Sequence, residues 1–213
     1  MGKNDSVLRH TIRDLYGMRR GVSLSTHIFN SATLAITLQN APLSRTRQML
    51  LLLITNYGEK LTFDQKTTYT WPSPKSIMNA EAQELTMKCK LGYRTKYLQF
   101  IAEAVQKQSC PTIKALQQMP FEKAKAELKK LKGIGEYSAE AILPHSEAFP
   151  IDIWSAQIFH RLFFPNRPLP SKQEAIKIVR NQAAERWGRW RKLAFVYVVS
   201  DLSNLSKKFK INL

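Results

Sequence analysis

Residues 121–142, FEKAKAELKKLKGIGEYSAEAI, decide the fold: a basic helix runs into Leu131-Lys132-Gly133-Ile134-Gly135, and a second helix starts at Glu136. Two glycines one residue apart permit a tight turn whose backbone N–H groups lie exposed beside a helix N-terminus. Such a turn can cradle a phosphate, helped by the helix dipole. It can equally be a plain corner in which the glycines only allow close packing. Seventeen residues after Gly135, Asp152 interrupts the apolar run Ala148-Phe149-Pro150-Ile151-Asp152-Ile153-Trp154. A carboxylate in such surroundings is costly without partners. Asp152 is expected to cap a helix beginning at Ile153 or to stand ionised beside a cleft, and the two roles are compatible.

Outward from this hairpin the periodicity is helical almost throughout. Leu8, Ile12 and Leu15 form one stripe on a first short helix, and Gly17 and Gly21 bracket a basic turn holding Arg19 and Arg20. Apolar helices are predicted over 25–38 and 44–57, separated by Gln39-Asn40-Ala41-Pro42, with Gly58 closing the second. Residues 59–70 read as a polar loop. Ser73-Pro74 has the form of an N-cap followed by proline at the first helical position. Further helices are predicted over 75–80, 81–89, 94–107, 112–118 and 121–130. Leu193 to Val199, LAFVYVV, has the composition of a buried strand but no strand partner upstream, and is read as a buried helix. The predicted fold class is all-α.

The chain of 213 residues carries 33 Lys and Arg against 16 Asp and Glu, a formal charge of +17. Hydrophobic residues at 44% supply enough apolar material for a packed core, which sets the chain apart from disordered basic tails. No apolar run reaches the length of a membrane span, and MGKNDSVLRH at the start has no apolar signal region. The expected protein is therefore intracellular and not secreted. Two cysteines, Cys89 and Cys110, exclude a four-cysteine zinc or iron–sulfur site, and the four histidines are scattered without ligand spacing. No metal site is expected. The surplus charge points to a polyanion. Nucleic acid is favoured over a membrane surface, because the charge is spread along the chain and not gathered into one amphipathic segment.

The pairing of Leu131-Lys132-Gly133-Ile134-Gly135-Glu136-Tyr137-Ser138-Ala139 with the downstream Pro150-Ile151-Asp152 resembles the helix-hairpin-helix, Gly/Pro-Asp superfamily of DNA glycosylases, nearest its alkylpurine and 8-oxoguanine branch. Leu91-Gly92-Tyr93-Arg94 resembles the loop with which that branch wedges into the duplex, and Gln39-Asn40 followed by Arg45 resembles the loop that fills the gap left by a flipped base. Trp187-Gly188-Arg189-Trp190-Arg191 before an apolar helix resembles the C-terminal pattern of the same group. The likeness spans roughly residues 15–203. An iron–sulfur signature is absent, since no cysteine follows Cys110, and a flanking β-domain is missing or reduced to about the first 20 residues.

The resemblance implies two helical lobes with a central cleft: residues 27–145 as a bundle ending in the hairpin, and 1–26 with 146–213 as a second lobe carrying Asp152. It implies an enzyme that flips a damaged or mispaired base, leaning to damaged purines, and hydrolyses its N-glycosidic bond. Asp152 is the expected catalytic carboxylate, stabilising positive charge on the sugar. Tyr137, Trp154 and Trp190 are candidates for the base pocket, with simple core packing as the other reading of the two tryptophans. Lys132, Gly133 and Gly135 are candidates for phosphate contacts. Asn40 and Tyr93 would fill the vacated space, with Arg94 and Arg45 reaching the orphaned base or nearby phosphates. Relatives that also cut the strand place a lysine where this chain has Tyr137, so a monofunctional enzyme using water is expected. Lys132, where relatives usually have proline, keeps a bifunctional alternative open. A noncatalytic DNA-binding module and a thymine or uracil mismatch enzyme are the remaining alternatives. The expected partner is double-stranded DNA with a lesion or mismatch, bound by a monomer in the nucleoid or nucleus. No cofactor is required, and a monovalent cation at the hairpin is the one ion the reading admits. The tail Lys207-Lys208-Phe209-Lys210 reads as a solvated charge run.

Overall fold

A computed structural model describes residues 5–9, 11 and 27–211. The expectations for Ile12, Leu15, Gly17, Arg19, Arg20 and Gly21 lie outside the described residues. The chain divides into two compact units, Leu24–Pro144 and Met1–Ser23 with His145–Leu213.

The Leu24–Pro144 unit is built from α1 (Ile28–Leu38), α2 (Leu43–Tyr57), α3 (Pro74–Met78), α4 (Ala82–Lys88), α5 (Arg94–Gln106), α6 (Ile113–Gln118), α7 (Phe121–Lys129) and α8 (Glu136–Ile142). Local chemistry sets several of these boundaries. Ser73 Oγ accepts the Ser76 N–H at 3.0 Å with Pro74 as the first helical residue. Thr112 caps α6 through the Ala115 N–H at 3.1 Å. α1 packs against α5 and α8, and α3 also packs against α5. Ile36, Met49, Leu53, Ile77, Leu98 and Ile101 are buried in this unit. The α1–α2 corner is pinned from beneath by the buried Thr46 hydroxyl, which donates to the Thr37 carbonyl at 3.0 Å.

The stretch expected to be a polar loop is instead a β-hairpin. β1 (Lys60–Phe63) pairs antiparallel with β2 (Lys66–Tyr69), with Phe63 opposite Lys66. Asp64 and Gln65 turn the chain at φ 48° and 59°, the left-handed pair that a two-residue hairpin turn requires. The physical reason it escapes sequence reading is that every strand residue except Tyr69 is exposed. No apolar face alternates with a polar one, so the period-two signal of a half-buried strand is missing. The rest of the described chain is helical, and the all-α class holds.

The other unit contains α9 (Ile153–Phe163), α10 (Lys172–Trp187), a single 3-10 turn Gly188–Trp190, α11 (Arg191–Ser200) and α12 (Leu202–Phe209). The ambiguous LAFVYVV run lies inside α11, as helix. Its core is aromatic: Phe149, Phe159, Phe163 and Trp187 pack together with Val7 and Leu8. The Phe159 and Phe195 rings stack at 5.6 Å with an interplanar angle of 11°. The N-terminal segment is tied in by Asp5, whose Oδ1 accepts the Val7 and Leu8 N–H groups at 2.9 Å each. Its Oδ2 accepts Trp187 Nε1 at 3.1 Å. Among the described residues no helix is long and apolar enough to cross a membrane.

Candidate nucleic-acid interface

The glycine hairpin joins α7 to α8. Gly133 sits at φ +90°, a conformation that L side chains rarely adopt. A Cβ there would lie 2.4 Å from Tyr97 Cγ, so this glycine is also required by the approach of α5. Gly135 is different: its φ of −93° suits any residue, and an added Cβ would meet nothing within 4 Å. Its lack of a side chain leaves the start of α8 open, and no side chain caps that end. Lys132 is exposed, with its ammonium 4.6 Å from the centre of the Phe100 ring. Tyr137 is half-buried in the first turn of α8.

An ion-pair cluster clamps the two helices of the hairpin. Glu136 binds Lys125 at 2.9 Å and Lys129 at 2.8 Å, and Lys125 also reaches Glu122 at 3.0 Å. Burial pushes the Glu136 carboxyl up, but the hydrogen bonds from Lys129 and Lys125 outweigh it and hold the group at about 2. Glu136 is therefore a carboxylate throughout the working range of pH, at the helix end where negative charge is favoured.

Two further segments of the same unit meet the hairpin. At the α1–α2 corner Asn40 is exposed and adopts a left-handed φ of 45°. Its Nδ2 lies 3.5 Å from the Tyr93 hydroxyl, which is itself 3.5 Å from the Gln39 carbonyl. Tyr93 is 46% exposed and stands at the start of α5. Arg45 donates to the Lys90 carbonyl at 3.2 Å and so ties the first turn of α2 to the 90–93 loop. Thus Asn40, Arg45 and Tyr93 form one group.

Arg94, beside Tyr93, is only 6% exposed. One Nη donates to the Gln39 carbonyl and the other to the Leu91 carbonyl at 3.4 Å. These two donations hold the corner and the loop in register, while the Arg94 Nε is buried without a hydrogen-bond partner among the described residues. Gln39, part of the Gln39-Asn40 motif but given no role of its own there, donates through Nε2 to the Gly133 carbonyl at 2.7 Å and to Ser138 Oγ at 2.8 Å. Nothing in its sequence surroundings points to partners in the glycine hairpin.

In the other unit Asp152 opens α9 with a reciprocal capping box. Its Oδ1 accepts the Ser155 N–H at 2.7 Å and the Ser155 hydroxyl at 2.6 Å, while the Asp152 N–H donates to Ser155 Oγ at 2.9 Å. Its Oδ2 makes no hydrogen bond with the described residues. The side chain is thus fixed by one oxygen and presents the other. Beside it, at the start of α9, Ile153 is exposed and Trp154 is 53% exposed. Trp190, in the 3-10 turn, is 44% exposed with the Arg189 guanidinium 5.1 Å from its ring centre. Neither tryptophan is core packing; Trp187 fills that role. Among the described residues no three His, Cys, Asp or Glu side chains are grouped to hold a metal ion.

No protein-family model matches the chain. Solved structures do share its fold. An 8-oxoguanine glycosylase/lyase from Clostridium acetobutylicum superposes with a TM-score of 0.73 at 20% identity, over 92% of this chain and 66% of that one. A 3-methyladenine DNA-glycosylase from Archaeoglobus fulgidus gives 0.75 at 23% identity, over 92% of this chain and 65% of that one. A 3-methyladenine DNA glycosylase from Schizosaccharomyces pombe, in complex with abasic DNA, gives 0.65 at 18% identity, over 89% of this chain and 92% of that one. The chain spans about two-thirds of the length of the first two proteins and nearly all of the third.

Proposed function

We propose that the chain is a monofunctional DNA N-glycosylase that extrudes a damaged base, a purine lesion by preference, and hydrolyses its bond to the sugar. The observation that carries this reading is Asp152: a carboxylate with one oxygen locked in a capping box and the other without a hydrogen-bond partner among the described residues. Its place in Pro150-Ile151-Asp152 after a glycine hairpin, within a fold shared with purine-lesion glycosylases, supports the same conclusion.

In the proposed reaction the C1′–N bond breaks and its electron pair leaves with the base, so positive charge grows on the sugar. Asp152 Oδ2 faces that charge, and a fixed carboxylate stabilises it far better than mobile water would. Water adds its oxygen to C1′, and its proton leaves to neutralise the departing base. The backbone N–H groups about Gly133 and Gly135, with Lys132, hold a phosphate. Asn40 and Tyr93 occupy the space that the flipped nucleotide vacates. Tyr137 in the Leu24–Pro144 unit, and Trp154 and Trp190 in the other unit, are each aromatic faces on which an extruded base can stack. Tyr137 has no amine, so no Schiff base forms at that position and the strand stays intact.

The test incubates wild type and Asp152→Asn with duplexes carrying alkylated adenine, hypoxanthine, 8-oxoguanine, uracil or a thymine–guanine mismatch. Strand breaks are scored with and without alkali. Breaks that need alkali and vanish in the variant support the reading, and the responsive duplex names the substrate. Breaks without alkali, with a borohydride-trapped adduct lost in Lys132→Gln, would replace it with a glycosylase/lyase. Silence on every duplex with retained affinity for abasic DNA would leave a binding module.

A further inference from the structure

The Asn40 corner and the glycine hairpin lie more than ninety residues apart in sequence, yet one side chain joins them. Gln39 is the C-cap of α1, and its N–H closes that helix on the Ile36 carbonyl at 3.2 Å. Its carbonyl is gripped by Arg94 and approached by the Tyr93 hydroxyl. Its side-chain amide then spends both hydrogens on the hairpin, one on the Gly133 carbonyl and one on Ser138 Oγ. These two acceptors stand on either side of the open start of α8. The Gly133 peptide is not free to turn away, because its left-handed backbone is wedged against the Tyr97 ring. Asn40 follows directly at φ 45°, so any shift of Gln39 is passed on to it.

We infer that Gln39 is a positioning residue that locks the Asn40 corner to the glycine hairpin, so that phosphate capture and insertion of Asn40 into the duplex occur as one event. The inference rests on the glycosylase reading for its DNA. Only a side chain with two hydrogens on one terminal atom, neutral and of this length, meets the two acceptors. Methionine has nearly the same shape but leaves both acceptors unpaired. Glutamate is also nearly isosteric, but turns an oxygen onto the Gly133 carbonyl.

The experiment compares wild type, Q39M, Q39E and Asn40→Ala in affinity for an abasic duplex and for the intact duplex of the same sequence. Amide hydrogen exchange of the free protein is followed over 39–42 and 131–138. Q39M is expected to bind the intact duplex within about twofold of wild type and the abasic duplex about tenfold more weakly, the scale of two ordinary hydrogen bonds. Its exchange rises in both segments together, and Q39E behaves the same or worse. Asn40→Ala loses abasic affinity while exchange over 131–138 stays at the wild-type rate, since the lock is intact. An unchanged abasic-to-intact ratio in Q39M, or faster exchange over 39–42 alone, overturns the inference. Should Q39M not fold, Ser138→Ala removes one acceptor, leaves Gln39 in place and reads the same coupling. A wild type that prefers abasic DNA but excises no base sinks the glycosylase reading and leaves Gln39 to be judged by its variants. Without that wild-type preference both fall.

Discussion

At the scale of the residue, two substitutions separate folding from chemistry. Asn is as good an N-cap as Asp, so Asp152→Asn should keep the α9 cap and melt within a few degrees of wild type. It removes the negative charge, and the single-turnover excision rate is expected to fall by about 10²-fold or more. Asp152→Ala loses both, adding about 0.5–2 kcal/mol of destabilisation that a urea titration would resolve. A variant Asp152→Asn with wild-type turnover would mean that the carboxylate is a cap and nothing else. The hairpin glycines make the converse pair. Gly133→Ala meets the Tyr97 ring and a forbidden φ, and should lower stability and DNA binding together. Gly135→Ala meets nothing in the protein, so the melt should be unchanged, while its methyl at the open start of α8 weakens duplex affinity. Equal stability losses in the two variants would remove the distinction.

At the scale of the element, the α7–α8 hairpin owes part of its rigidity to Glu136. Its carboxyl is depressed to about 2 in the folded chain, against an ordinary value of 4.5. A depressed acid stabilises the fold above its unfolded value, and that contribution fades as pH falls from about 4.5 towards 2. Glu136→Gln should therefore be less stable than wild type at pH 7 and converge with it near pH 2, as read from urea midpoints across the series. A gap that stays constant with pH would assign the effect to packing. The elements also mark what the sequence could reveal. Helices with an apolar stripe or a Ser-Pro cap, such as α2 and α3, were legible because burial and capping write themselves into spacing. The 60–69 hairpin was not, because its strands bury nothing and its order comes from backbone pairing and one turn. Asp152 stood out as a charge in an apolar run. Gln39 did not, since a polar residue in a polar corner carries no local sign of a partner more than ninety positions away. The burial of Arg94 was illegible for the same reason: an arginine beside an exposed tyrosine looks solvent-facing until the carbonyls that hold it are known.

At the scale of the whole molecule, the two units differ in how the chain builds them. Leu24–Pro144 is continuous, whereas the other gathers residues from both ends of the chain. The N-terminal piece supplies Val7 and Leu8 to the aromatic core, the Asp5 carboxylate to Trp187, and the Thr11 hydroxyl to the buried Asp201 at 3.0 Å. Residues 24–144 expressed alone should unfold cooperatively, while 145–213 alone should show no cooperative transition until residues 1–23 are restored. Both units carry more Lys and Arg than Asp and Glu, and in the proposed function the total of +17 bears on how DNA is held. If six to ten phosphates are neutralised, affinity for an intact duplex should fall by about 10³–10⁵-fold between about 50 and 200 mM salt, through lost counterion release. On the proposed reading, the extra affinity for an abasic duplex has another origin: Asn40, Tyr93 and the Gln39 lock, whose side chains are uncharged, so the abasic-to-intact ratio should stay constant while both affinities drop. Fluorescence anisotropy over that salt series reads the two quantities at once. A ratio that collapses with salt would place the discrimination in Arg45 or Lys132 instead, and a flat response of both duplexes would mean that the surplus charge faces something other than DNA.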